Sequence, residues 1–170
     1  MWAARRATEA DAGELTTLAE RVFRETFGPA NSAENMDLYA TSAFTFERQL
    51  AALRDPDIVV LLVEAEGRYA AFATLRLHAG ERAIEIQRFY VDAPWQGRGV
   101  AQTLMAAVVE LAAAERAERV WLGVWERNTR GIAFYLKCGF RVVGEQAFML
   151  GLDRQRDLVM TRQTSVSRDG

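Results

Sequence analysis

The six residues Gln96-Gly97-Arg98-Gly99-Val100-Ala101 stand between a strand-like run ending at Val91 and an apolar helical run with Leu104, Met105, Val108 and Val109. Strand, turn and helix start in that order suit a bulky anion. Glycines at 97 and 99 let the backbone come close to it, and the unpaired N–H groups of the helix's first turn, at the positive end of its dipole, can hold phosphate oxygens. The stretch predicts a pyrophosphate cradle, in which Arg98 either adds charge or is simply solvated. Three phosphate-site patterns compete for it. A P-loop ends in Gly-Lys-Ser/Thr, which is missing here. The dinucleotide fingerprint is met at Gly97 and Gly99, with Glu126 ending the next strand. Gln102 departs from it, standing where close helix–strand packing needs a small residue, and the strand arrives past residue 80 instead of opening the domain. The third pattern, Gln/Arg-x-x-Gly-x-Gly/Ala, is filled as Gln96-x-x-Gly99-x-Ala101.

Other chemistries are limited by what the chain lacks. Cys138 is the only cysteine and His78 the only histidine. An internal disulfide is excluded, as is a zinc site built on several Cys or His ligands, and no metal is expected. A serine or cysteine triad would have only His78 as base, within a strand-like run. A net charge of -2 gives no general reason to bind nucleic acid, so a small-molecule partner is expected. No apolar run approaches the roughly 20 residues of a membrane span, and Met1 to Arg6 lead into an acidic stretch instead of a signal core. A cytoplasmic protein with no membrane partner is expected. Of the 21 basic residues only Lys137 is lysine, a bias that carries no functional inference.

The elements that must hold the cradle follow from periodicity. With 170 residues, half of them apolar, the chain reads as one domain from Trp2 to about Arg162, with a frayed tail from Thr164 to Gly170. A short strand near Trp2 to Ala7 precedes a helix capped by Thr8, with Leu15, Leu18, Val22 and Phe23 on one face. Gly28-Pro29 interrupts it. Asn31 to Leu53 reads as one or two further helices, ended by Asp55-Pro56. Ile58 to Val63 and Tyr69 to Leu77 read as a hairpin turning at Glu66-Gly67, and Ala83 to Val91 as a third strand. The helix after Gly99, a strand at Val120 to Val124, a helix from about Thr129 to Lys137 and strands after Phe140 complete an α/β sandwich with a mixed sheet. Trp121, Phe134, Phe140 and Phe148 are expected in the core, Cys138 to be inert, and His78 to be a surface or satisfied strand histidine.

A second motif follows the cradle: Asn128, then Phe134-Tyr135, then Gly139-Phe140. With Gln96-x-x-Gly99-x-Ala101, it resembles the GNAT superfamily of N-acetyltransferases, over about residues 58 to 150. Within that superfamily, Trp121 to Asn128, Asn31 to Tyr39 and Gly151-Leu152-Asp153 resemble the PaiA-like spermidine/spermine acetyltransferase group. Two departures stand out. Gly131 replaces a frequent alanine, at a cost of about 1 kcal/mol in a helix, and Pro94 lies one position late after Val91.

The resemblance implies a GNAT-like acyl-CoA N-acyltransferase fold, with a mixed, largely antiparallel central sheet flanked by helices on both faces. It implies acetyl-CoA as cosubstrate, lying in a V-shaped opening between the strand ending at Val91 and the one ending near Trp125. Gly97, Arg98, Gly99, Val100 and Ala101, with Gln96, would hold the pyrophosphate. Phe89, Tyr90 and Val91 would border the pantetheine, and an N–H near Tyr90 or Val91 would polarise the thioester carbonyl. Asn128 would bond the pantetheine arm or cap a helix. Tyr135 would face the sulfur as acid or hydrogen-bond donor. Glu85 would be the general base, placed by strand alternation on one face with Gln87, Phe89 and Val91; water relayed from backbone carbonyls is the other route. The acceptor is expected to be a small primary amine, polyamine-like if Glu25, Glu34, Asp37 and Glu47 surround its mouth. Arg21, Arg24 and Arg48 nearby leave amino acids, peptides or antibiotics open. A homodimer and a CoA-binding sensor without turnover are the other readings.

Overall fold

The run Ile58–Val63 is apolar at every position because both of its sides are buried. Val59, Leu61 and Val63 enter one apolar cluster, and Val60 and Leu62 enter a second on the opposite face. In the computed structural model, which describes residues 2–164, this run belongs to a seven-stranded sheet. In chain order the elements are β1 (Ala4–Arg6), α1 (Ala12–Phe27), α2 (Ala33–Ala43), α3 (Phe46–Arg54), β2 (Ile58–Ala65), β3 (Arg68–His78), β4 (Ala83–Val91), α4 (Val100–Ala114), β5 (Arg119–Trp125), α5 (Thr129–Lys137), β6 (Arg141–Leu150) and β7 (Asp153–Gln163).

The sheet order is β1-β2-β3-β4-β5-β7-β6. Every neighbouring pair is antiparallel except β4 with β5, which α4 joins as a parallel crossover. The expected mixed, largely antiparallel sheet with helices on both faces is therefore the observed fold. On one face α4 buries Leu104, Met105, Val108 and Ala112 against Leu75, Ile84, Ile86, Val120 and Leu122, with Tyr135 of α5 in the same cluster. On the other face α1 and α2 bury Leu15, Leu18, Val22, Phe23, Met36 and Ala40 against Val60, Leu62 and Phe72. Each fully buried Leu or Phe among these contributes about 1.5–3 kcal/mol relative to exposure.

The stretch from Asn31 to Leu53 forms two helices. Phe44 ends the first, and Thr45 caps the second by accepting from the Arg48 N–H at 3.2 Å. Thr8 precedes a single 3-10 turn before α1, and its N–H donates to Asp11 Oδ2 at 2.7 Å. Thr164, expected to fray, is tied down: its N–H donates to the Glu118 carbonyl at 2.9 Å and its hydroxyl to the Ala117 carbonyl. The rest of the expected tail lies outside the described residues. Among the described residues no helix is long and apolar enough to cross a membrane.

Candidate active site

Backbone pairing between β4 and β5 runs from Ala83–Arg119 to Ile86–Leu122 and stops. Past that point Gln87–Val91 and Gly123–Trp125 diverge and leave a wedge open in the middle of the sheet. Strand residues address their two neighbours alternately, so backbone N–H and C=O groups of both strands open onto this wedge. A cavity of about 570 Å³ fills it, bounded by β4, β5, the start of α4, α5, and the α1, α2 and β7 side chains beneath.

The cradle expected after Trp95 lies at its rim. Gly97 and Gly99 have φ values of 74° and 88°, a left-handed conformation that glycine takes without steric cost. Ser32, Thr45 and Asn128 cap their helices by side chain, but Gly99, at the start of α4, has none to offer. The first bond there is Thr103 N–H to the Gly99 carbonyl, 3.1 Å. The N–H groups of Ala101 and Gln102, both on the cavity lining, are left for an external acceptor. Trp95 is buried, edge-on to Trp2 at 5.5 Å, and fixes the turn from below. Gln96 Nε2 donates to the Val91 carbonyl at 3.1 Å, and Arg130 Nη1 donates to Gln96 Oε1 at 2.6 Å, which ties the cradle to both β4 and α5.

Of the expected cofactor-binding residues, Phe89, Tyr90, Val91, Gln96, Gly97, Ala101, Asn128 and Tyr135 line the cavity, while Arg98, Gly99 and Val100 do not. Val100 is an anchor with no exposed surface. The Arg98 guanidinium lies 4.6 Å over the Trp95 ring and 5.8 Å over that of Trp2, so it packs against the outside of the turn.

Tyr135 is buried among Phe89, Phe134 and Phe140, with ring centroids 6.0, 5.5 and 5.8 Å away. Burial raises its phenol pKa well above the ordinary value, so the hydroxyl stays a donor. Asn128 Oδ1 accepts from the Gly131 N–H at 3.0 Å and caps α5. The glycine at 131 has a local reason: a Cβ there would lie 2.7 Å from Asn128 Nδ2.

Glu85 is not where alternation alone puts it. Thr74 of β3 faces Arg88 and Leu75 faces Ile86, so Gln87 is an extra residue, a β-bulge. The bulge reverses the phase of β4. Phe89 and Val91 lie on the Tyr135 face with Ile84 and Ile86, while Tyr90 packs with α1 and α2. Glu85 falls on the α1 face, within the closed part of the sheet, outside the cavity lining. Its Oε1 is 3.1 Å from His78 Nε2, and the His78 ring lies over Trp121 at 6.2 Å. His78 is thus satisfied, as expected.

Below the wedge the cavity runs between Phe27, Tyr39, Trp125 and Phe148. Tyr39 is 5.3 Å from Phe148 and Phe27 6.0 Å from Trp125, ring to ring. Phe148 and Phe134 therefore line the site, and Phe140 alone of the four expected core aromatics joins the core's buried residues without doing so; Trp121 is half-buried. Arg88 and Asp157, unremarked in the sequence, also line this part. Asp157 had a usable signal, since aspartate is depleted inside strands. None of Glu25, Glu34, Asp37 and Glu47 borders the cavity; Asp37 pairs with Arg24 at 2.6 Å and Glu25 with Arg21 at 3.9 Å. Arg21 also holds the buried Asp92 carboxylate at 2.5 Å, fixing α1 to the end of β4.

A model of the acetyltransferase (GNAT) family matches residues 16–140. An uncharacterized N-acetyltransferase of Mycobacterium tuberculosis is 34% identical over 153 residues, which cover 90% of this chain and 97% of that protein. A spermine/spermidine N(1)-acetyltransferase of Bacillus subtilis is 31% identical over 64 residues, 37% of this chain and 42% of that protein. The PaiA N-acetyltransferase of Thermoplasma acidophilum, solved in complex with coenzyme A, superposes with a TM-score of 0.83 at 20% identity, covering 96% of this chain and 99% of that one. Wedge, cradle and buried tyrosine occupy one cavity, and the family match spans most of the elements that build it: the chain belongs to the acetyltransferase (GNAT) family, enzymes that draw their acetyl group from acetyl-CoA.

Proposed function

We propose that this acetyltransferase moves the acetyl group to a primary amine of a small, polyamine-like molecule, by direct attack in a ternary complex. The observation that carries the reading is the wedge past Ile86 and Leu122, with an uncapped helix start at its rim and Tyr135 on the lining of the same cavity. The N–H groups of Ala101 and Gln102 suit the pyrophosphate, and the opened edge of β4 suits the amide-bearing arm, whose groups can pair as a further strand would. A β4 N–H near Tyr90 or Val91 would then meet the thioester carbonyl and stabilise the oxyanion.

The lining supports direct attack. Among the described residues no cysteine, serine or histidine borders the cavity, and burial pushes the Cys138 thiol up, away from its nucleophilic form. The amine must arrive neutral. With a pKa of about 10.4, fewer than about one alkylamine in a thousand is neutral at pH 7, so its proton has to be removed in the site. Tyr135 acts on the leaving group. An ordinary tyrosine passing its proton to a thiolate goes uphill by roughly 2 kcal/mol, from a pKa near 10 to one near 8.5, and burial of Tyr135 steepens that. The phenol therefore stabilises the leaving sulfur by a hydrogen bond. Glu85, expected as the base, stands outside the lining and answers His78 instead, which leaves water relayed from backbone carbonyls as the route for the amine's proton.

Incubating the protein with acetyl-CoA and a panel of amines, and following free thiol, tests the reading. Thiol should appear with linear di- and polyamines and stay at background without an acceptor. Release at the same rate with and without amine would show hydrolysis alone, and the proposal would fail.

A further inference from the structure

Three carboxylates are buried among the described residues: Asp11, Asp92 and Asp157. Asp11 is held by Arg5 at 2.9 Å and Asp92 by Arg21 at 2.5 Å. Asp157, 8% exposed, has no Arg, Lys or His nitrogen within 4.0 Å among the described residues. A buried carboxylate without a counter-charge is costly, and proteins rarely keep one that has no cation to meet. This one borders the cavity.

The surroundings make room for a guest. Asp157 lies in the sheet plane between Trp125 of β5 and Gln146 of β6. Next to Trp125 on the same face, two positions back along β5, stands Gly123. A Cβ at that position would lie 2.3 Å from Gln146 Nε2 and 3.2 Å from Asp157 Oδ2. The missing side chain is what lets the amide and the carboxylate sit over the strand. Tyr39, Trp125 and Phe148 line the same part of the cavity, and aromatic walls beside a carboxylate suit an ammonium group.

Among the described residues Arg88 is the one cation lining this part of the cavity, and it is engaged elsewhere. Its guanidinium lies 4.4 Å over the Phe44 ring, and Nη2 donates to the Ala43 carbonyl at 3.4 Å, at the negative end of α2. It is not the partner of Asp157.

We infer that Asp157 is the acceptor-recognition residue, the carboxylate that receives an ammonium group of a linear aliphatic polyamine. This rests on the amine-acetylation reading above and supplies its specificity determinant. The role is positioning by charge. Burial raises the Asp157 pKa, and the hydrogen bond from the Gln146 amide opposes that rise.

Titration calorimetry of spermidine against the full chain with coenzyme A bound tests the assignment. Asp157→Asn should weaken spermidine binding at least about 10-fold, the loss of one charge-assisted hydrogen bond, with coenzyme A affinity unchanged. In turnover, KM for the polyamine should rise by a similar factor while kcat stays within about threefold, as expected for lost uniform binding. Gly123→Ala, which crowds the niche without touching the charge, should weaken spermidine as well. Equal spermidine affinity in wild type and Asp157→Asn would overturn the assignment, as would a wild type that binds no polyamine, or a fall in kcat at constant KM. An Asp157→Asn chain that does not fold would overturn it too, since the assignment gives this carboxylate no structural role. The two readings separate cleanly. Spermidine binding lost in the variant without thiol release in any enzyme keeps the recognition site and removes the transfer reading; amine-dependent release untouched by the variant does the reverse.

Discussion

Ile86 and Leu122 are the last pair of residues to join β4 to β5, and the wedge opens one residue further along. Gln87, the next residue of β4, is the bulge. The two irregularities coincide: where the strand loses its parallel neighbour it also takes an extra residue, which turns Phe89 toward Tyr135 and Tyr90 toward the α1 layer.

The cradle makes the first prediction. Gly99→Val forces a β-branched residue into φ 88°, so the start of α4 must rearrange. Coenzyme A affinity, read by calorimetry, should fall at least about 10-fold, which corresponds to about 1.4 kcal/mol, within the range for a strained backbone position. Arg98→Ala removes only the stacking on Trp95 and Trp2 and should leave that affinity within about threefold. A larger loss in Arg98→Ala than in Gly99→Val would place the phosphate contacts on the side chain and refute the main-chain cradle.

Tyr135→Phe should lower kcat about 10–100-fold and leave KM for acetyl-CoA nearly unchanged, since the hydrogen bond to sulfur matters only as the thiolate forms. The pH profile carries the sign. The phenol pKa is raised by burial, so the donor form persists above pH 10, where an exposed tyrosine would be half ionised. No loss of kcat assignable to this group should appear up to pH 10. A Tyr135-dependent fall centred near pH 9 would contradict the burial argument.

Glu85→Gln should leave kcat/KM within about threefold, because the carboxylate lies outside the cavity and answers His78. A drop of 100-fold or more, with the alkaline limb of the pH profile displaced, would restore it as the base acting through water.

Much of the fold was legible because periodicity reports burial. The unbroken apolar run at Ile58–Val63, the spacing of Leu15, Leu18, Val22 and Phe23, and the Gly97-x-Gly99 turn each state a local constraint that the tertiary structure keeps. Gln96-x-x-Gly99-x-Ala101 and Tyr135 were legible as candidates for the same reason, since backbone approach and helix phase are properties of short segments. Glu85 was misplaced because a bulge is fixed by how two strands align, Thr74 on Arg88 and Leu75 on Ile86, and neither strand announces it alone. The lower part of the cavity was hidden more deeply. Asp157, Tyr39, Arg88 and Gly123 come from four elements, and a missing counter-ion is visible only when the neighbours are known. The carboxylates of α1 and α2 were attractive in the sequence, yet Arg24 and Arg21 hold two of them away from the cavity.

The last prediction concerns stability. If Asp157 is kept for an ammonium group that arrives from outside, the empty protein bears an uncompensated buried charge, and Asp157→Asn should remove that cost. Burial raises its pKa above the unfolded value, so the folded state holds the proton more tightly. Stability from this group therefore grows as pH falls through the raised pKa and is lost as pH rises toward neutrality. At pH 7 the Asn variant should melt higher by about 2–4 °C, the shift produced by about 1 kcal/mol in a domain of this length, and the gap should close as pH is lowered toward the ordinary carboxylate range. Asp92→Asn should do the opposite, melting lower at pH 7 because it removes the carboxylate that Arg21 grips at 2.5 Å. Added spermidine should then raise the melting temperature of the wild type and leave Asp157→Asn nearly unmoved, since a ligand stabilises only the form that binds it. A wild type that melts above Asp157→Asn at pH 7 would mark Asp157 as a structural residue, of the same kind as Asp11 and Asp92.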